Sequence, residues 1–234
     1  MEKMHYEDQL RLLDHTAQDE ILELLLSFSQ KTSHDLKFFN YYKEVPITSA
    51  AELLYVFGDT LACRSNQTQS KAIKLSKFTI VRSSQFKHDI YATAAYNEES
   101  DEITLSEFAY VEVLPDRRNT LRVKIGGLFL VTIEAGTNSF VAKLKDLSLG
   151  GCAIEIPDKA LLGSFTYFHL NFSFALQGRQ EPHKLRIMAR LLRFESDSTP
   201  CRCIFLFEHD LRSEDLIGRY IAQRQAEIIR ELKD

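Results

Sequence analysis

Three arginines, Arg117, Arg118 and Arg122, fall within six positions directly after Pro115 in the stretch PDRRNTLRV. A guanidinium stays charged at physiological pH and presents a planar fork of donors that fits phosphate oxygens or the O6/N7 edge of guanine. Arg118 and Arg122, four apart with Arg117 just before them, are therefore candidates to hold an anion or a purine. Taken alone the pattern is also what an ordinary solvated turn carries. The chain as a whole is mildly acidic, with a formal charge of −4, so any anion recognition has to be local.

A second group lies about two strands later, in DLSLGG, Asp146 to Gly151. In a strand, Asp146 and Ser148 project from the same face. Asp146 offers an acceptor-only carboxylate and Ser148 a hydroxyl that donates or accepts. Gly150 and Gly151 let the backbone turn tightly, or let a flat ligand approach with no Cβ in the way. The plainer alternative is a Gly-Gly hairpin turn with a serine or aspartate cap.

The elements that must position these groups fall into two segments. Of nine glycines only Gly58 precedes residue 120, and Pro115, which pushes Leu114 toward extended geometry, sits near that change. The expected domains are therefore 1–114 and 115–234, with 115–122 as the connector. In the first, Thr16 and Asp19 form a capping-box-like entry to a helix whose Ile21, Leu24, Leu25 and Phe28 share a face. Strands are expected at TLACR, KAIKL, DIYATAAY, EITLS and FAYVEV. In the second, TLRVKI, LFLVTIE, SFVAKLKD, CAIEI, FHLNFSF, KLRIMARLLRF and CRCIFLFE read as strands of a sandwich or closed barrel. A terminal helix follows, capped by Ser213, with Ile217, Tyr220, Ile221, Ile228 and Leu232 as its apolar stripe. The fold class is mainly β: a C-terminal barrel with a closing helix, after a smaller β-rich domain with an N-terminal helix.

Bulk properties narrow the function classes. A pI near 6.0 argues against nucleic-acid binding by bulk charge, and no basic recognition helix is visible. No apolar run is long enough to span a bilayer, and the N-terminus lacks a signal-peptide layout, so a cytoplasmic location is expected. The cysteines, Cys63, Cys152, Cys201 and Cys203, form no Cys-x-x-Cys pair. Cys201, Cys203 and His209 fit no standard zinc spacing, and a structural role is expected for these cysteines. A hydrolase built from Asp146, Ser148 and a histidine lacks a Gly-x-Ser-x-Gly elbow, and no His-Glu-x-x-His helix is present. No catalytic residues, metal or cofactor are expected.

Together, Arg-x-x-x-Arg at a domain connector, Asp-x-Ser-x-x-Gly two strands on, further strands including ARLLRF and CIFLFEHD, and the closing helix LIGRYIAQRQAEI resemble the PilZ family over about residues 115–234. The preceding half, from VPITSAAELLYV to EFAYVEVLPDRR, resembles the accessory β-domain of flagellar-brake-like PilZ proteins. The resemblance implies a receptor for cyclic di-GMP (c-di-GMP), in which Arg118 and Arg122 grip guanine edges and phosphates. Asp146 and Ser148 would read a guanine, Gly150 and Gly151 would flank it, and Gly151 would leave room for the ring. Arg117 implies an intercalated pair of ligand molecules. Also implied are a change in relative domain orientation on binding and a protein partner, such as a flagellar motor or secretion component. Control of motility, with recruitment to the flagellar basal body, follows from the same likeness. A PilZ-like interaction module without ligand is the alternative, although such members lack motif residues and all five stand here. No GGDEF- or EAL-like signature for making or degrading the dinucleotide is present.

Overall fold

The computed structural model of the protein describes residues 10–14, 17–29, 35–118, 120–178, 180–195 and 199–233. The described residues fall into two compact units. One comprises those within Met1–Tyr42, Pro46–Asn119 and Ile229–Asp234, the other those within Lys43–Val45 and Thr120–Ile228. Among the described residues no helix is long and apolar enough to cross a membrane.

The first unit is built on an eight-stranded sheet: β1 (Leu10–Asp14), β2 (Lys37–Tyr42), β3 (Val45–Ala50), β4 (Glu52–Phe57), β5 (Thr60–Arg64), β6 (Phe78–Arg82), β7 (Asp89–Asn97) and β8 (Glu102–Val113). The order is β3-β2-β6-β7-β8-β5-β4, with β1 pairing β8. The helix α1 (Gln18–Ser29) buries Ile21, Leu25 and Phe28, at helical spacing, among Leu36, Phe38, Leu61, Ile103 and Phe108. The expected cap at Thr16 lies outside the described residues.

Two expectations for this unit are corrected. KAIKL is not a strand but part of the helix α2 (Gln67–Ser76). Asn66 caps it by accepting from the Gln69 amide at 2.9 Å, and the amide of Lys77, in the left-handed region at φ 67°, bonds back to Ile73. Buried Gln69 then ties the helix to β2 by donating to Asn40 Oδ1 at 2.7 Å. EITLS and FAYVEV are one strand, β8, interrupted only by a bulge. Ala92 pairs Phe108 and Thr93 pairs Ser106, so Glu107 is the extra residue, at φ 52°.

The second unit holds β9 (Arg122–Lys124), β10 (Leu130–Ala135), β11 (Asn138–Ser148), β12 (Gly151–Ile156), β13 (Tyr167–Phe174), β14 (His183–Phe194) and β15 (Cys201–Glu208), followed by the helix α3 (Leu211–Lys233). The order β10-β13-β14-β15-β12-β11, with β10 also pairing β11, closes six strands into a barrel, and β9 adds to β11 outside that ring. Of the expected TLRVKI strand only Arg122–Lys124 is one. Phe168, Leu170, Phe172 and Phe174 line the interior with Ile187 and Phe205, as strict alternation requires. Each such side chain contributes about 1.5–3 kcal/mol through burial.

Ser213 is not the cap of α3. Asp210 Oδ1 accepts from the Ser213 amide at 2.7 Å, and Ser213 Oγ accepts from the Asp210 amide at 3.0 Å. Asp210 therefore caps the helix and Ser213 answers three residues on, as a reciprocal box. Ile217, Ile221 and Ile228 are buried as expected, and Tyr220 lies 4.6 Å from the ring of Phe174. Arg224 fills the gap in that stripe and is itself buried.

Candidate functional site

The candidate residues of the second unit meet where β11 runs on past the barrel. Its early residues, Asn138 to Lys143, pair with β10, while Asp146 to Ser148 pair with β9 instead. A bulge between Leu144 and Asp146 separates the two stretches. It also resets the alternation: Ala142 and Leu144 are buried before it, and Leu147 after it. Unbroken alternation would put Asp146 on the face of Ala142 and Leu144. The bulge puts it with Ser148 on the other face.

On that face Arg122 stands directly opposite Ser148, and Lys124 opposite Asp146. Arg122 Nε is 3.6 Å from Asp146 Oδ1. Arg202, from β15, donates through Nη2 to Asp146 Oδ2 at 2.5 Å. Asp146 is only 4% exposed. Burial pushes its carboxyl above the ordinary carboxylate range, although Arg122 and Arg202 pull the other way. The Ser148 hydroxyl donates to the Gly151 carbonyl at 3.1 Å. Its one proton is thereby used within the hairpin, and the oxygen keeps its acceptor lone pairs.

The hairpin turn between β11 and β12 is Leu149–Gly150, with Ser148 and Gly151 as the closing pair. It is pinned from β15: the Phe207 amide donates to the Gly150 carbonyl at 3.0 Å, and His209 Nε2 donates to the Leu149 carbonyl. Gly150 has open space around it, with only Thr120 Oγ1 at 3.9 Å from where a Cβ would sit. Gly151 differs. A Cβ there would lie 2.1 Å from the Phe205 carbonyl oxygen, so the missing side chain lets β15 pass.

Arg117 and Arg118 follow β8, in the other unit. A short 3-10 turn, Leu114–Arg117, ends with the Arg118 amide bonding to the Pro115 carbonyl at 3.0 Å, and the Arg118 side chain is exposed. The side chain of Arg117, on which the stacking expectation rests, lies outside the described residues.

Sequence reasoning misses Arg202. It lies 56 residues from Asp146, between two buried cysteines in an otherwise ordinary strand, and no local spacing marks it. The zinc arrangement is not formed: among the described residues no three His, Cys, Asp or Glu side chains group to hold a metal. Cys201 and Cys203 are buried, and burial pushes the Cys203 thiol up to about 12. A cavity of about 440 Å³ elsewhere in this unit, lined by His183, Lys184, Arg212, Asp215 and Arg219, includes none of the candidate residues.

The arrangement as a whole is a cationic strand end beside a buried carboxylate and an acceptor hydroxyl, all on rigid strands. It can bind a flat, anionic ligand that carries both acceptor and N–H edges. Residues 116–223 match the PilZ domain. No curated protein matches the sequence. Among solved structures, the chain is similar to the inhibitor of motility MotI/DgrA of Bacillus subtilis, at 12% identity over 84% of this chain and 98% of that one, with a TM-score of 0.41. It is also similar to YcgR of Escherichia coli in complex with c-di-GMP, at 15% identity over 98% of both chains, TM-score 0.40. A third is the MrkH–c-di-GMP complex of K. pneumonia, at 12% identity over 95% and 98%, TM-score 0.41.

Proposed function

We propose that this protein, which carries a PilZ domain over residues 116–223, is a receptor for c-di-GMP. The observation that supports the reading most directly is the placement of Arg122, Asp146 and Ser148 side by side on β9 and β11. The ligand is a dianion with two guanines. Arginine forks suit its phosphates and the O6/N7 edges, and a carboxylate suits the guanine N–H donors. Arg118 and Arg122 supply the forks, and Arg117 a further plane on which a second ligand molecule stacks. Asp146 accepts from a guanine, and Ser148 receives a donor on its free lone pairs. A bare phosphate site would account for the arginines but not for the carboxylate.

Binding draws residues 115–122 over the ligand and so biases the relative orientation of the two units. A ligand does this only in so far as it binds the ordered form better. The output passes to a protein partner, and control of motility is the process proposed.

Calorimetry with c-di-GMP tests the receptor reading. Arg118→Ala and Asp146→Ala should each weaken binding by about 1–3 kcal/mol. Wild-type affinity in both variants removes the site assignment. Hydrogen exchange across 115–122, with and without saturating c-di-GMP, tests the ordering step, and an unchanged pattern removes it.

A further inference from the structure

We propose that Arg202 is a positioning residue of this site: it holds one oxygen of Asp146 and leaves the other turned toward β9, where a guanine N–H would meet it. The proposal deepens the c-di-GMP reading and rests on it. The two carboxylate oxygens are used differently. Oδ2 is bound by Arg202 Nη2 at 2.5 Å, while Oδ1 has Arg122 Nε at 3.6 Å, an ion-pair rather than a hydrogen-bond distance. Oδ1 is therefore the oxygen with capacity for a ligand.

Arg202 reaches Asp146 across β12. Its register partner there is Glu155, but Glu155 pairs with Lys145 at 3.1 Å instead. Behind it, Arg202 Nε lies 3.0 Å from Glu195 Oε2, and the Glu195 amide donates to the Arg202 carbonyl at 2.8 Å. Arg193 holds the other oxygen of Glu195 at 3.2 Å. Charges thus alternate along one line, Arg193–Glu195–Arg202–Asp146–Arg122. The ion pair at its back, short of hydrogen-bond geometry at Nε, restrains the guanidinium, and the hydrogen bond from Nη2 then steadies the rotamer of the carboxylate in front.

The line matters once ligand arrives. Arg122 is the cation the phosphate or guanine recruits, and a carboxylate only 4% exposed cannot stay ionised without another. The charged groups around Asp146 are Arg122 and Lys124 from β9, Arg202 from β15 and Glu44 from the segment before β3, and Cys152, opposite Leu147 on β12, is the nearby thiol that feels its charge. Burial holds Cys152 well above the ordinary thiol range, so it stays neutral, and Glu44 opposes ionisation. Lys124 is exposed, whereas Arg202 is hydrogen-bonded to the carboxylate itself, so Arg202 is the cation that keeps Asp146 an acceptor.

The test compares full-length wild type, Arg202→Met, Arg202→Lys and Asp146→Asn with two readouts. The first needs no ligand: carbon-13 NMR of the aspartate carboxyls, with the Asp146 signal identified by its loss in Asp146→Asn. Asp146 should titrate at higher pH in Arg202→Met than in wild type, and Arg202→Lys should restore most of the difference. The second is calorimetric binding of c-di-GMP between about pH 6 and 8. Arg202→Met should bind about tenfold more weakly or worse, with the loss growing as pH falls, whereas wild type should be level.

An unmoved Asp146 titration overturns the proposal, as does a binding loss that is equal at every pH and not rescued by lysine. If Arg202→Met does not fold, Arg202→Gln takes its place: the same upward shift of the Asp146 titration and the same loss of binding growing as pH falls are expected, and their absence overturns the proposal. A wild type that ignores c-di-GMP removes the receptor reading, and the ligand-free titration still judges the hold of Arg202 on Asp146.

Discussion

Arg82 Nη2 lies 2.5 Å from Asp116 Oδ2, which fixes the residue immediately before the Arg117–Arg118 pair to the sheet of the first unit. Tyr41 donates to the other Asp116 oxygen at 3.0 Å. Arg82 in turn bonds Asp89 at 2.8 Å and lies 3.8 Å over the ring of Phe39. A guanidinium held on two sides and stacked on a third is a rigid post. The candidate arginines therefore start from a fixed point, whatever the segment after them does.

Removing the post should loosen that start. Arg82→Met is expected to destabilise the first unit by about 1–2 kcal/mol, chiefly because Asp89 loses its charged partner in a part-buried setting, the exposed pair with Asp116 adding little. Hydrogen exchange at 114–118 should rise in parallel. A variant with unchanged thermal stability and unchanged exchange there would show that the post carries no load.

Gly150 and Gly151 should respond oppositely to alanine. At Gly151 the new Cβ would meet the Phe205 carbonyl oxygen at 2.1 Å, and two paired strands cannot separate locally without losing ladder bonds. Gly151→Ala should cost about 2 kcal/mol or more. Gly150→Ala meets nothing closer than 3.9 Å and should stay within about 0.5 kcal/mol of wild type. Thermal melts of the two variants, made side by side, settle the matter.

Most of the barrel was legible from alternation alone, because Phe168, Leu170, Phe172 and Phe174 leave no doubt which face of β13 is buried. The α1 face was legible for the same reason. The helix α2 was not, since the short K-A-I-K-L run is too brief for its period to separate helix from strand, and what decides it is the Asn66 cap and the buried tie from Gln69 to Asn40. The adjacency of Asp146 and Ser148 on one face was legible, but which face was not, because the bulge after Leu144 has no marker in the sequence. Arg202 and Arg224 were invisible as site and core residues. Their partners stand 56 and 100 residues away, and an arginine in a strand or on a helix reads as solvated until its partner is known.

Acid should reveal a second carboxylate. Asp35 accepts from the Ser83 hydroxyl at 2.5 Å and from the Ser84 amide at 2.7 Å, and these donors, Ser83 first, hold its carboxyl down from 3.8 to about 2. A depressed carboxyl contributes stability above its unfolded value, and that contribution is lost as pH falls through the folded one. The stability gap between wild type and Asp35→Asn should therefore be full above pH 3.8 and close on the way to about 2. A gap independent of pH over that window would contradict the assignment. Asp146 should run the other way: its raised value means that its ionised form costs stability above the folded value, a cost relieved as pH falls through it.

Arg224 gives the sharpest double test. Its Nε donates to the Lys124 carbonyl at 3.2 Å, and Nη1 meets Glu227 Oε2 at 3.0 Å. Because Lys124 ends β9, this side chain supports the strand that carries Arg122. Arg224→Met leaves a part-buried carbonyl and a carboxylate without that donor and should cost about 1–2 kcal/mol. Gly126 sits where a Cβ would lie 2.7 Å from Arg224 Nη2, the far end of a flexible side chain that can move. Gly126→Ala should therefore cost about 1 kcal/mol or less in wild type, and still less in Arg224→Met, where the obstructing group is gone. The two substitutions should be non-additive by several tenths of a kcal/mol. Strict additivity in denaturant melts would mean that Arg224 does not rest against Gly126 in solution, and its support of β9 would fall with it.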